Sequence, residues 1–116
     1  MASGEIQNVQ ITAQSVYDNA FSTFGAHRAR LNLSSWPPGY RADPKQNSGW
    51  IKVELGKKKV ITAIATQGYG DPAVPEWMQQ YMVMYSNGGD YSYFKDLEGN
   101  LQVSEANING KFTVSD

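Results

Sequence analysis

The sequence predicts an all-β domain, and the observations behind that prediction begin in residues 49–68. In the first half of this stretch Ile51, Val53 and Leu55 alternate with other residues, the period-two pattern of a half-buried strand. In the second half, residues 60–66 are rich in β-branched side chains and largely apolar, as in a strand covered on both faces. Four residues separate the two runs, which is a hairpin length. We therefore predict a central antiparallel hairpin, with its two flanking loops at one end of the sheet and its lysine-rich turn at the other.

Further strands are predicted on both sides of the hairpin. Residues 5–13 alternate loosely and predict a first strand, whereas residues 81–85 are apolar or aromatic throughout and predict a third. An Asn-Gly pair within residues 86–90 predicts a type I′ turn, because both residues tolerate a positive φ, and residues 91–94 then form the partner strand. No stretch has the spacing that predicts a helix. The weaker strands predicted beyond residue 95 are residues 101–103 and 112–114.

Three polar loops between these strands carry aromatic side chains. In residues 14–27 the aromatics follow neither strand nor helix spacing, so they are either tucked beneath their own loop or displayed to solvent. Residues 33–49 and 68–79 contain several prolines and glycines, which mark them as loops. Loops held on a rigid scaffold are the usual working surface of a binding domain.

Composition excludes several classes of chemistry. With 116 residues and a net charge of −1, the chain has the size of one domain and no general attraction for nucleic acid. It contains no cysteine and one histidine, which excludes zinc sites and Cys-His nucleophiles. Its carboxylates are scattered, and it has neither a glycine-rich phosphate loop nor an apolar run of membrane-spanning length. We expect a binding domain with no catalytic residues, no cofactor and no metal; Asp43, Asp71 and Glu76 could hold a structural calcium, but their spacing does not support one.

A set of short segments carries a further signal. These segments are Ile11-Thr-Ala13, Arg28-Ala-Arg-Leu-Asn32, Trp50-Ile-Lys-Val-Glu-Leu55, Val60-Ile-Thr-Ala63, Thr66-Gln-Gly68 and residues 81–90. In order and spacing they resemble the discoidin domain, the type C domain of coagulation factors V and VIII, which is also similar to a large group of galactose-binding carbohydrate modules. The agreement extends over about residues 5–100, and the block at residues 50–68 is its most specific part.

The resemblance implies a distorted jelly-roll β-sandwich of about eight antiparallel strands. Members of the family meet glycans, anionic phospholipid head groups, collagen or other proteins through protruding loops, or spikes, at one end of the sandwich. Carried onto this sequence, the spikes are residues 19–25, 34–45 and 69–77, which agrees with the loop placement that the hairpin predicts. The candidate ligand-binding residues in them are Phe21, Phe24, Trp36, Tyr40, Arg41, Tyr69, Asp71 and Trp77.

From these features we expect a non-enzymatic adhesion module, extracellular or at the cell surface, that recognises a glycan or a cell-surface or matrix protein. Arg41 is the best polar candidate, because a guanidinium can bond to sugar hydroxyls, carboxylates or phosphates. The alternative ligand is an anionic phospholipid surface, met by apolar loop tips ringed by basic residues. Because the loop end also holds Asp43, Asp71 and Glu76, its charge balance favours the glycan or protein ligand.

Other conspicuous residues are expected to be structural. Trp50 opens a strand and Trp77 precedes one, so packing is favoured over display for both rings. Arg28 and Arg30 are expected to pair with carboxylates or to cap backbone carbonyls. The lysine turn at residues 57–59 is expected to be a solvated turn that blocks aggregation.

The remaining expectations concern the boundaries of the domain. Residues 1–4 are expected to be a leader, and residues 5–116 a single discoidin-like domain. Nothing after Lys111 matches the strand block with which the family ends. We expect the C-terminal strands to be absent through truncation, to come from a partner chain, or to be replaced by a rebuilt tail; unpaired strand edges would then promote self-association. Asn32-Leu-Ser34 is a glycosylation sequon whose occupancy stays open.

Overall fold

The computed structural model describes residues 6–30, 33, 35–46, 49–61, 63–69, 73, 78–95, 97–100, 103–105 and 112–115. The chain divides into two compact units. Unit 1 comprises residues 1–59 and 69–75, and unit 2 comprises residues 60–68 and 76–116. The leader expected at residues 1–4 lies outside the described residues.

Unit 1 is built on an antiparallel pair of strands. Strand β1 (Ile11–Ala13) pairs with strand β2 (Ile51–Val53). The predicted alternation is visible at the end of β2 and just beyond it, since Val53 and Leu55 pack against the buried core whereas Glu54 is exposed. Ile51, predicted on the same face, is 43 % exposed, so the inward alternation is wrong at the start of β2 and holds only for Val53 and Leu55.

Different loops are connected to the two ends of this strand pair. At one end the Glu54 amide donates to the carbonyl oxygen of Gln10 at 2.8 Å, next to the turn that begins at Gly56 with a φ of +81°. At the other end the Gln14 amide donates to the carbonyl oxygen of Trp50 at 3.0 Å. The lysine turn and the aromatic loop that follows Gln14 therefore leave the strand pair from opposite ends.

The buried core of unit 1 is small. Among the described residues no side chain is fully buried, so each apolar contact is a large share of the packing. Gly25 is required next to this core, because a Cβ at its position would lie 2.1 Å from the carbonyl oxygen of Phe21. The buried apolar residues, 5 to 8 % exposed, are Ile6, Ile11, Val16 and Ala26.

Single turns of helix precede and follow β1. A four-residue helix, α1 (Phe21–Phe24), lies in the loop where no helix was predicted, and at this position the prediction is wrong. A helix this short is not stable alone, so its apolar contacts rather than its sequence periodicity must hold it. The chain enters it through Asp18 and Asn19, whose positive φ values of 53° and 51° suit these residue types. The 3₁₀ turns are Asn8–Gln10, Tyr17–Asn19 and Ala26–Arg28.

The described residues of unit 2 form three two-stranded ladders, all antiparallel. The strands are β3 (Ala63–Thr66) with β8 (Phe112–Ser115), β4 (Gln80–Met82) with β7 (Val103–Glu105), and β5 (Met84–Tyr85) with β6 (Ser92–Tyr93). In the described part of the chain the regular structure is mostly strand, and the predicted all-β class is confirmed.

The central hairpin predicted at residues 49–68 is wrong. Strand β2 pairs with β1, and β3 pairs with β8 with Ile64 opposite Val114. A loop of hairpin length shows only that two neighbouring strands could pair. Residues 112–114 also carry β-branched residues, so this distant segment competes successfully for β3. The length of the loop between two strands does not show which distant strand will compete for pairing.

The hairpin between β5 and β6 is confirmed, but its predicted type I′ turn is not. Of the Asn-Gly pair only Gly88 has a positive φ, at +102°. The Ser86 hydroxyl accepts from the Gly88 amide at 3.1 Å and donates to the Gly89 carbonyl at 2.8 Å. Because this hydroxyl supplies the polar contacts of a wider loop, the backbone does not adopt the two-residue turn.

The described sheets are short, and they leave large apolar side chains in solvent. The exposed fraction reaches 86 % at Val60 and 61 % at Met78, and Leu97 is fully exposed. A complete jelly-roll would cover more of this surface, and the closed form of the fold stays a prediction. No helix among the described residues is long and apolar enough to cross a membrane.

The small core makes one stability prediction. Ile11→Ala should lower the free energy of unfolding by about 2–4 kcal/mol, because it removes a buried side chain and leaves a cavity. Val9→Ala is the matched control: Val9 is 84 % exposed two residues away, and its loss should change stability by less than about 0.5 kcal/mol. Urea unfolding followed by fluorescence measures both, and equal effects would contradict the assigned core.

Candidate ligand-binding site

Three aromatic rings from two of the predicted loops pack edge to face in unit 1. The ring centroids of Tyr17 and Phe24 are 5.6 Å apart with an interplanar angle of 85°. The centroids of Phe24 and Trp36 are 6.0 Å apart with an angle of 74°. Edge-to-face pairs at these distances are favourable by about 0.5–1.5 kcal/mol each beyond the area that they bury. Phe24 thus anchors α1 to the loop that carries Trp36.

Arg41 lies against two of these rings and against a third ring from another loop. Its guanidinium carbon is 4.1 Å from the ring centroid of Tyr17 and 5.4 Å from that of Phe24. It is also 5.7 Å from the ring centroid of Tyr69, which belongs to the third predicted loop. Cation–π contacts of this length contribute about 0.5–2 kcal/mol, more as the cation loses water. We call Tyr17, Phe24, Trp36, Arg41 and Tyr69 the loop cluster.

Backbone contacts hold the same segments together. The Tyr17 amide donates to the carbonyl oxygen of Arg41 at 2.9 Å, and the Arg41 amide donates to that of Phe24 at 3.3 Å. Gly39 allows the third loop to approach, because a Cβ there would lie 3.0 Å from Cδ2 of Tyr69. The loop cluster is therefore fixed by main chain as well as by side chains.

Arg28 and Arg30 are structural, as the sequence predicts, and their described contacts are mostly backbone carbonyls. Arg28 donates through Nε to the carbonyl oxygen of Pro37 at 2.9 Å and through Nη2 to that of Ser35 at 2.7 Å. Arg30 donates through Nη2 to the carbonyl oxygen of Ile6 at 2.6 Å. Because Ser35 and Pro37 flank Trp36, Arg28 clamps the backbone on which that indole stands.

Tyr40 is half-buried, and its hydroxyl is used within the protein. It donates to the carbonyl oxygen of Ser15 at 2.6 Å, while the Ser15 hydroxyl accepts from the Asp43 amide at 3.1 Å. Burial raises the pKa of the Tyr40 phenol above its ordinary value, and the nearby Ser15 side chain offsets part of the rise. Tyr40 therefore fastens the second loop to the segment after β1.

Two aromatic side chains of the predicted site are displayed to solvent. Trp36 is 69 % exposed and Phe21 is 64 % exposed. Phe21 does not take part in the described ring contacts; it borders an open cleft of about 590 Å³. The other residues that line this cleft are Asn8, Val9, Ile11, Thr12, Ala13, Val16, Ser22, Gly25, Ala26 and His27.

The predicted site residues thus fall into three groups. Phe24, Trp36, Arg41 and Tyr69 meet in the loop cluster, with Tyr40 in the same loop as Trp36 and Arg41. Phe21 lies on the cleft. Asp71 and Trp77 lie outside the described residues, as does Glu76 of the suggested calcium ligands. Among the described residues no group of three potential metal-ligating side chains comes together.

Sequence reasoning misplaced two aromatic residues. Tyr17, which was not among the candidates, contacts both Phe24 and Arg41. Its presence in the first aromatic loop was visible, but loop spacing could not indicate which ring meets the guanidinium. Trp50 was expected to pack and is instead 51 % exposed, so that expectation is wrong. Pairing of β2 through its backbone fixes this residue without burying its indole.

Comparison with known proteins matches the chain to one family. The family model of the F5/8 type C domain matches residues 10–115. Retinoschisin of Homo sapiens is 34 % identical over 116 residues, which covers 97 % of this chain and 51 % of that protein. Coagulation factor V of Sus scrofa is 36 % identical over 90 residues, 77 % of this chain and 4 % of that protein. Coagulation factor VIII of Mus musculus is 32 % identical over 111 residues, 92 % of this chain and 5 % of that protein. The chain therefore spans about half the length of retinoschisin and a small part of the coagulation factors.

The contact between Tyr40 and Ser15 makes a pH-dependent prediction. Tyr40→Phe should lower the free energy of unfolding by about 1 kcal/mol near pH 8, because it removes a hydrogen bond. Since the unfolded phenol ionises at its ordinary pKa before the folded one, the contribution of Tyr40 is complete below about pH 10 and is lost as the pH rises through the folded pKa. The gap between wild type and variant should therefore close at alkaline pH.

Urea unfolding at a series of pH values measures this gap. Tyr91→Phe is the control, because Tyr91 is 49 % exposed and should show no such gap at either end of the range. A gap that stays constant through alkaline pH, or that Tyr91→Phe reproduces, would contradict the assignment.

Proposed function

Because the chain belongs to the F5/8 type C (discoidin) domain family, we propose that it is a non-catalytic binding module whose ligand meets the loop cluster. The proposed ligand is a glycan or a cell-surface or matrix protein, and the proposed setting is extracellular adhesion. We further propose that the described ladders belong to the distorted jelly-roll sandwich of about eight strands that the family implies.

One observation carries this proposal: the Trp36 indole is exposed yet held in place. The ring is 69 % exposed while it packs edge to face with Phe24. The backbone on both sides of it is bonded to Arg28. An aromatic face that is fixed before binding loses little conformational entropy when a sugar ring or an apolar side chain stacks on it. Such a face is what a shallow recognition site needs.

Anionic phospholipid is the second candidate, and the exposure of Phe21 favours it. An apolar tip that enters a membrane is normally accompanied by basic side chains that attract the lipid head groups. In the described part of this loop end, Arg28 and Arg41 are committed to carbonyls and rings. Exposed Lys45 adds one cation, but the Asp43 carboxylate accepts from the Lys45 backbone amide and so lies beside it. The net positive charge available for lipid is therefore small, which supports the glycan or protein ligand over the membrane.

The exposed apolar residues of unit 2 support a further contact between copies. Strands that show apolar side chains and unpaired edges tend to pair with other chains. Self-association through such edges is part of the proposal, and sizing chromatography of the folded chain tests it: a single sharp monomer peak would contradict it.

The binding proposal predicts a specific loss on one substitution. Trp36→Ala should weaken binding to a glycan array or to an immobilised matrix protein by at least about tenfold, the size expected for a central aromatic contact. Trp50→Ala is the matched control, because it removes an exposed indole outside the loop cluster, and it should leave binding unchanged. Thermal unfolding of each variant verifies that it is folded.

Two results would contradict this account. Wild-type affinity in Trp36→Ala would show that the indole is not the contact. Salt-sensitive binding to phosphatidylserine vesicles, lost in Phe21→Ala and kept in Trp36→Ala, would make the membrane the ligand instead.

A further inference from the structure

We infer that Arg41 is a positioning residue rather than a ligand contact, and that the loop cluster recognises an uncharged ligand group through the face of Trp36. This inference rests on the proposed function, because it names the ligand class of the same site. It departs from the expectation that Arg41 supplies the site's polar bond to a carboxylate, phosphate or sugar.

The surroundings of Arg41 indicate how its charge is used. The guanidinium carbon lies within 6 Å of three ring centroids, at 4.1, 5.4 and 5.7 Å. At this range the negative faces of the rings attract the cation. The rings also occupy sides of the guanidinium that an anionic ligand would otherwise approach through solvent. The side chain is half-buried, in contrast to the exposed indole of Trp36. Its charge therefore stabilises the protein instead of facing outward.

Two further polar groups of the described loops are also committed to the protein. The guanidinium of Arg28 donates to the carbonyl oxygens of Ser35 and Pro37. The hydroxyl of Tyr40 donates to the carbonyl oxygen of Ser15. Redirecting such groups toward a ligand would break hydrogen bonds that they already make. The surface offered to a ligand is consequently an aromatic face, which favours the apolar face of a neutral sugar over an anion.

Arg41 reaches Trp36 through Phe24. The cation lies 5.4 Å from the centroid of the Phe24 ring, and the Trp36 indole packs edge to face against that same ring. Removing the cation would release the Phe24 ring, and the indole would lose the surface against which it is fixed. Substitution at Arg41 should thus weaken the binding of a ligand that Arg41 does not contact.

A pair of probes that differ in one charged sugar tests this inference. Lactosyl-albumin and 3′-sialyllactosyl-albumin are titrated against the wild-type chain, Arg41→Ala, Arg41→Lys and the control Lys45→Gln at several salt concentrations. Lys45 is an exposed cation of the same loop outside the cluster. Arg41→Ala should lower the affinity for the neutral probe by about tenfold without changing its salt dependence. Arg41→Lys should restore part of that affinity, because a cation remains over the rings. Lys45→Gln should bind as the wild type does.

The opposite pattern would overturn the inference. If Arg41→Ala binds the neutral probe normally and loses only a salt-dependent preference for the sialylated probe, Arg41 contacts the anion directly.

A measurement without ligand separates this inference from the proposed function. In the NMR spectrum the Nε–H proton of Arg41 should be shifted upfield by the ring currents of the cluster, and Tyr17→Leu should return it to its ordinary position. If the wild type binds neither probe but shows this shift, the glycan proposal fails and the positioning role of Arg41 stands. If the proton has its ordinary shift in the wild type, the positioning role fails whatever the probes show.

Discussion

The contact of the Arg41 guanidinium with the rings of Tyr17, Phe24 and Tyr69 is the interaction on which the rest of the site depends. The core of unit 1 is small, with no fully buried side chain among the described residues. Because such a core stabilises the surrounding loops little, contacts among the loops must hold them in place. A cation shared by rings from different loops supplies these contacts in a chain that has no cysteine. Trp36 can then remain exposed and still be fixed.

The division of roles among the arginines follows from geometry. Arg28 has a planar, forked donor group that reaches two carbonyls on either side of Trp36. Arg41 presents the face of the same group to aromatic rings. Neither use could be filled by a lysine with equal effect, because an ammonium group has no plane to stack and no fork. Arg28, which the sequence predicts to be structural, and Arg41, which it predicts to contact the ligand, thus both contribute to the framework of the loop cluster.

The sequence predicts much of the local structure and less of the pairing. Alternation at residues 51–55 correctly indicates a strand with Val53 and Leu55 inward, but it wrongly places Ile51 inward too. The loops identified as a working surface do contribute to one cluster. The partner of β2 could not be predicted, because competition from a strand far along the chain is not encoded in loop length. The central position of Tyr17 could not be predicted either, since packing among irregular loops has no periodicity to detect.

Amide hydrogen exchange tests the central claim most directly. The account holds that the loops around Arg41 and the β1–β2 pair open as one unit, so the amides of Tyr17 and Arg41 should exchange about as slowly as that of Glu54, which extends the strand pair. Protection of Glu54 alone, with Tyr17 and Arg41 exchanging as fast as the tip of the β5–β6 hairpin at Gly89, would contradict it. In that case the exposed indole of Trp36 would rest on mobile loops.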